Sequence, residues 1–188
     1  MKGLVFNMLE DFIVNTWDED VWDTIYETAL PELQTQDPFV GPLTYPDEDL
    51  MTLAKHACNA SGLPPQEALY KFGEFCFPKL TQLTPDFVSG HTHPKPFLMT
   101  VESIIHVEVK KMYSKAYLPV FEYEDISPSE LILIYRSKRR LYDFLDGMIS
   151  AVGKHFEVKI ELTRTIRENN GNSYGHYHLK FESPWIVE

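Results

Sequence analysis

The stretch Phe97–Tyr113, FLMTVESIIHVEVKKMY, decides how the chain reads. Leu98, Val101, Ile105, Val109 and Met112 recur at spacings of three and four, which predicts an amphipathic helix over the whole segment. His106 flanks that apolar face. An imidazole there is either a satisfied structural histidine or a metal ligand, and the segment alone leaves both open. Further on comes Tyr135-Arg136-Ser137-Lys138-Arg139. In an extended segment side chains alternate with a period of two, so Tyr135, Ser137 and Arg139 are expected on one side. A phenol, a hydroxyl and a guanidinium all donate to carboxylates, and the planar fork of Arg does so bidentately. A polar strand edge would carry the same residues. Taken together, the two elements describe a pocket for a group with a metal at its centre and carboxylates at its rim.

Working outward, the first half reads as helices. Leu4, Met8, Phe12 and Asn15 trace successive turns, and Asp18-Glu19-Asp20 precedes Val21–Tyr26 as an acidic helix start. Asp47-Glu48-Asp49 opens a helix from Leu50 to Asn59 in the same way. Pro64-Pro65 starts another through Leu69, Phe72, Phe75 and Cys76, and Pro78 is expected to end it. The second half changes period. Val120–Tyr123, Glu130–Arg136 and Glu157–Thr163 read as strands, Leu141–Val152 as a helix. Asn169–Asn172 signals a turn, with Tyr177–Glu182 as the returning strand of a hairpin. The expected fold is α+β: a helical N-terminal lobe packed on an α/β C-terminal lobe with a mainly antiparallel sheet. A ligand would sit between the lobes.

Composition narrows the function classes. With 188 residues the chain is expected to be one domain with a real core. A formal net charge of −11 argues against nucleic acid as a partner, because that role needs a basic stripe. No apolar stretch is long enough to span a membrane, and Glu10 and Asp11 interrupt the N-terminal apolar run too early for a signal peptide. Cys58 and Cys76 read as reduced core thiols, so the expected compartment is the cytoplasm. Catalytic motifs are absent, which predicts a non-enzyme. His91-x-His93 and His176-x-His178 each resemble half of a zinc site. Neither has Asp, Glu or Cys at ligand spacing, so solvated histidines are expected.

Through Met1-Lys2-Gly3, Phe72-Gly73-Glu74-Phe75, Ile104-Ile105-His106, Pro119 and Tyr135-x-Ser137-x-Arg139, the chain resembles the haem nitric-oxide/oxygen-binding (H-NOX) family. The likeness is to bacterial stand-alone members, related to the haem domain of soluble guanylate cyclase. It covers residues 1–182, with 183–188 as a tail. It implies haem b between the lobes, with His106 as proximal axial ligand to the iron. Tyr135, Ser137 and Arg139 would hold the propionates, and Pro119 would press on the porphyrin. The distal wall would comprise Val5, Leu9, Cys76, Phe144 and Met148.

Oxygen-binding members carry a distal Tyr where this chain has Phe144. Bound dioxygen carries partial negative charge that a distal donor stabilises; nitric oxide needs no such help. The resemblance therefore implies a sensor of nitric oxide, also binding carbon monoxide, with weak or absent oxygen binding. Because nitric oxide weakens the bond trans to itself, its binding is expected to release His106 from the iron. Stand-alone relatives signal in trans to a histidine kinase or to a diguanylate cyclase or phosphodiesterase, and a monomer suffices for that. Two alternatives stay open, an oxygen sensor of the same fold and a zinc hydrolase using the His-x-His pairs.

Overall fold

The computed structural model describes residues 1–186. Of the expected tail, 183–188, residues 187 and 188 lie outside the described residues. The N-terminal lobe is helical: α1 (Gly3–Thr16), α2 (Glu19–Ala29), α3 (Asp47–Ser61) and α4 (Pro65–Leu83). Asp18 caps α2 by accepting from the Val21 N–H at 2.9 Å, at the acidic helix start expected from Asp18-Glu19-Asp20. The one-turn α5 (Asp86–Ser89) leads to α6 (Pro94–Thr100), a single wide turn at Val101–Ile105, and α7 (His106–Met112). In that wide turn the His106 N–H donates to the carbonyl of Val101, five residues back. The expected helix over Phe97–Tyr113 is thus one continuous rod with a π turn inserted just before His106. Such turns are rare and concentrate at functional sites.

The C-terminal lobe holds β1 (Val120–Ser127), β2 (Glu130–Arg136), α8 (Tyr142–His155), β3 (Ile160–Asn169) and β4 (Asn172–Phe181). The four strands form one sheet in the order β1-β2-β4-β3, every neighbouring pair antiparallel. The α+β expectation holds: a helical lobe against an α/β lobe. β4 alternates as a half-buried strand should, whereas β2 is buried at Leu131, Ile132 and Leu133 in succession. Leu131, Leu133 and Tyr135 face inward opposite Leu179, Tyr177 and Gly175. The β3–β4 hairpin closes through Asn170 (φ 50°) and Gly171 (φ 75°), the two left-handed residues that a type I′ turn demands. Consequently both strands run closer to the turn than their hydrophobic alternation alone predicted. β3 starts at Ile160, since Glu157 is itself left-handed (φ 54°) and cannot continue a strand.

Two apolar cores result. One lies among α1–α4 and includes Phe6, Leu9, Phe12, Leu53, Phe72 and Cys76. The other lies between the sheet and the helices α6 and α8, and includes Phe97, Leu133, Tyr135, Ile149, Val152 and Tyr177. The seam between them is crossed by α8 against α4, where Met148 packs on both cores. Glycines set that crossing. A Cβ at Gly147 would stand 1.9 Å from the Tyr70 carbonyl oxygen, and one at Gly73 would stand 2.1 Å from that of Phe144. The two backbones therefore touch directly, each through the other's glycine.

Pro78 does not end α4, contrary to the sequence expectation. The helix continues to Leu83 with Pro78 inside. An internal proline costs about 3 kcal/mol through the lost N–H and its clash with the preceding turn. Here that cost is offset by packing on both flanks, since Cys76 and Phe77 are buried in opposite cores just before it.

Candidate functional site

His106 opens α7 immediately after the π turn and is 7% exposed. Its Nδ1 lies 3.0 Å from Glu102 Oε2, one turn earlier. Ionised carboxylate only accepts, so the ring carries its proton on Nδ1 and donates from there. Nε2 makes no hydrogen bond among the described residues and keeps its lone pair free. Burial lowers the imidazole's pKa, and Lys110 adds to this, while the hydrogen bond and charge of Glu102 oppose them. The balance is a neutral ring, the form that binds metal. Phe121, on the edge strand β1, stacks on it with centroids 5.4 Å apart. The Phe121 N–H also donates to Glu102 Oε2, at 3.0 Å. Glu102 therefore ties the helix to the sheet.

Tyr135 is on β2, 4% exposed, its ring against Phe121 and Tyr142. Burial pushes its phenol up in pKa, opposed by the neighbouring Ser137 hydroxyl. Ser137 and Arg139 do not share a strand face with it, contrary to the expected alternation. β2 ends at Arg136, and residues 137–140 turn, with Arg140 left-handed at φ 52°. In that turn Ser137 Oγ accepts from the Arg139 N–H at 3.2 Å. Turn geometry, not pleat, gathers these three residues.

The Arg139 guanidinium is bidentate to Asp47, with Nε to Oδ2 at 2.6 Å and Nη2 to Oδ1 at 2.9 Å. Nη1 donates to the Tyr117 carbonyl at 2.6 Å. The Met1 ammonium reaches the same carboxylate at 2.6 Å. Burial works against ionising Asp47, but Arg139 and the N-terminal charge outweigh it and hold the carboxyl below its usual range. Three of the five guanidinium donors are used, leaving two for another acceptor. Pro119 is half-buried directly before β1.

On the other side of the seam, Val5 and Leu9 on α1, Cys76 on α4, and Phe144 and Met148 on α8 all belong to or pack on the N-terminal core. Cys76 is 1% exposed and burial pushes its thiol well above the ordinary range, so it remains an apolar SH. Tyr142 points elsewhere: its ring meets Tyr135, and its hydroxyl donates to Ser173 Oγ at 3.1 Å. The set around Phe144 thus contains hydrocarbon and sulfur but no strong donor.

The residues fit a haem. A neutral, oriented imidazole with a free Nε2 stands on one side of the seam, and an apolar set on the other. A phenol, a hydroxyl and a guanidinium with spare N–H groups are gathered around the end of β2. One surface concavity of about 300 Å³ lies away from these residues, beside Lys95 and Trp185, and another of about 360 Å³ borders them at Asp47, beside Met51.

The remaining histidines behave differently from expectation in one case. His93 is buried, not solvated: Nδ1 accepts the Lys95 N–H at 3.1 Å to cap α6, and Nε2 bonds the Ser183 carbonyl at 3.0 Å. His178 pairs with Glu130 at 2.7 Å. Among the described residues no group of three or more His, Cys, Asp or Glu is arranged to hold a metal ion, and no helix is long and apolar enough to cross a membrane. Sequence reasoning missed Glu102, Asp47, Phe121 and Tyr117. Only Glu102 had a local signal, its one-turn spacing before His106.

No curated protein sequence matches the chain. Solved structures do. An H-NOX protein from S. oneidensis in the Fe(II)NO ligation state is 25% identical, with a TM-score of 0.86, over 97% of this chain and 100% of the other. An unliganded Fe(II) H-NOX protein from K. algicida is 22% identical, with a TM-score of 0.87 over 100% of both chains. An oxygen-binding H-NOX domain related to soluble guanylate cyclases, solved as its oxygen complex, is 20% identical with a TM-score of 0.85, over 100% of this chain and 98% of the other. The last two show the fold alone. The sequence pattern of the Haem-NO-binding family matches residues 2–164, well over half of the chain, and the chain belongs to that family.

Proposed function

We propose that this protein is a haem-based sensor of nitric oxide. His106 would be the sole protein ligand to the iron, and residues 1–182 a single haem domain. The observation that carries the reading is the state of His106: buried, neutral, held at Nδ1 and free at Nε2. A histidine held this way is what an axial ligand requires. Tyr135, Ser137 and the two spare N–H groups of Arg139 would take the propionates, and Pro119 would lie against the ring. Haem b would supply a ferrous iron able to bind a diatomic gas.

Selectivity follows from the other wall. Val5, Leu9, Cys76, Phe144 and Met148 offer no strong hydrogen-bond donor. Nitric oxide and carbon monoxide bind ferrous haem without one, whereas bound dioxygen depends on one. Oxygen binding is therefore weak or absent. Signalling requires two states with different surfaces. The S. oneidensis relative was solved with nitric oxide, and the same ligand is proposed here. The partner we propose is a histidine kinase or a cyclic-di-GMP synthesis or degradation enzyme, acting in trans on a cytoplasmic monomer.

The test is replacement of the ligand. His106→Gly should be purified nearly free of haem and should regain it when imidazole is supplied. Full haem loading in His106→Gly without imidazole would refute the assignment.

A further inference from the structure

We propose that Glu102 is a positioning residue for the iron ligand, fixing the orientation of the His106 ring and strengthening electron donation from Nε2. The proposal rests on the haem reading above and adds to it a residue that tunes the strength of the iron–histidine bond.

Three features of the structure carry it. The carboxylate oxygen Oε2 accepts from His106 Nδ1 at 3.0 Å. A neutral imidazole whose N–H is shared with a full negative charge is a better donor at its opposite nitrogen than one bonded to water or to a carbonyl. Second, the carboxylate is not free to swing away. The same oxygen accepts the Phe121 N–H of β1 at 3.0 Å, and the Glu102 side chain is only 30% exposed. Phe121 in turn stacks on the His106 ring, its plane tilted by 26°. Ring, carboxylate and strand therefore form a closed loop of contacts. Third, Glu102 lies within the π turn Val101–Ile105. The wide turn shifts the register of the helix just before His106, and a π turn persists only where surrounding contacts compensate its cost.

The consequence concerns sensing. With haem bound, a stronger bond to His106 would resist loss of that ligand when nitric oxide binds, so Glu102 would set how readily the ring is released and the chain switches. It would also pull a released ring back toward one orientation, because the carboxylate and Phe121 stay fixed to the sheet.

The direct readout is the iron–histidine stretching band of the ferrous protein by resonance Raman, in wild type, Glu102→Gln and Glu102→Ala, with haem content measured in parallel. The band should move to lower frequency in both variants while haem is retained, and nitric oxide should release His106 from a larger share of molecules. An unmoved band in both variants would overturn the proposal. A second measurement needs no Glu102 variant. His106→Gly can be supplied with imidazole, which keeps an N–H for Glu102, or with 1-methylimidazole, which does not. Losing a hydrogen bond to a charged group predicts about tenfold weaker rescue by the methylated ligand, and equal rescue would contradict the proposal. If wild type itself takes up no haem, the haem reading fails. If wild type is loaded and the band is unmoved, only the role of Glu102 fails.

Discussion

Gly147→Ala tests the crossing of α4 and α8 on which both halves of the site depend. The added methyl would stand 1.9 Å from the Tyr70 carbonyl oxygen and 2.9 Å from the Glu74 backbone nitrogen. Ordinary contact needs about 3.4 Å, the bottom of the normal van der Waals range. The helices must therefore separate by more than an ångström, and the clash is with backbone, which cannot rotate away. Overpacking a core costs typically 1–3 kcal/mol, and rigid partners place this case at or beyond the upper end. For a domain of this size 1 kcal/mol shifts Tm by roughly 2–4 °C, so about 3 kcal/mol predicts a fall of roughly 6–12 °C. Gly90→Ala is the control, because nothing lies within 4 Å of its Cβ position. Phe144 lies one turn before Gly147 on α8 and Met148 directly follows it, so the same substitution should disturb the apolar wall they form. Thermal unfolding followed by far-UV circular dichroism gives the answer. If Gly147→Ala melts within a degree of Gly90→Ala, the close crossing is not real and the seam must be built differently.

Other outcomes follow from the same geometry. Phe144→Tyr should introduce the missing donor and raise oxygen affinity, seen as a changed absorption spectrum in air; an unchanged spectrum would mean that Phe144 does not face the gas. Tyr142→Phe should leave gas binding as it is, because that hydroxyl is spent on Ser173. Asp47→Asn should destabilise the haem-free protein at neutral pH. The Asp47 carboxyl is held below its usual range in the folded state, so its contribution is complete above the unfolded value of about 4 and is lost as pH falls through the depressed one. Denaturant titrations should accordingly show the gap between wild type and Asp47→Asn closing as pH drops below about 4. A gap that persists at pH about 2 would show that charge is not its origin.

Much of the fold was legible because periodicity reports which face of an element is buried. The spacing of Leu98, Val101, Ile105, Val109 and Met112 does mark one rod, and the continuous apolar run Leu131–Tyr135 does mark a strand. What periodicity does not carry is the placement of a single extra residue. The π turn at Val101–Ile105 changes the register by one without disturbing the apolar pattern around it. Pro78 was misread for a related reason: local chemistry says stop, while burial of Cys76 and Phe77 just before it, in opposite cores, says continue. The candidate site was legible in its chain-local parts. His106 and the segment containing Tyr135, Ser137 and Arg139 advertise their chemistry by residue type and spacing. The partner of Arg139 does not, because Asp47 comes from a distant helix start whose acidic residues look like an ordinary N-terminus. The strand end at Arg136 was hidden as well, since Arg140 adopts a left-handed conformation that no turn residue such as Gly or Asn announces.

The central claim is that His106 holds a ferrous haem whose far side meets an apolar wall without a hydrogen-bond donor. An absorption spectrum of the reconstituted ferrous protein, recorded under argon, in air and with nitric oxide, tests it most directly. The account predicts a haem band under argon, the same band in air, and a shifted band with nitric oxide. A colourless protein, or a band that moves in air as it does for an oxygen complex, would contradict it.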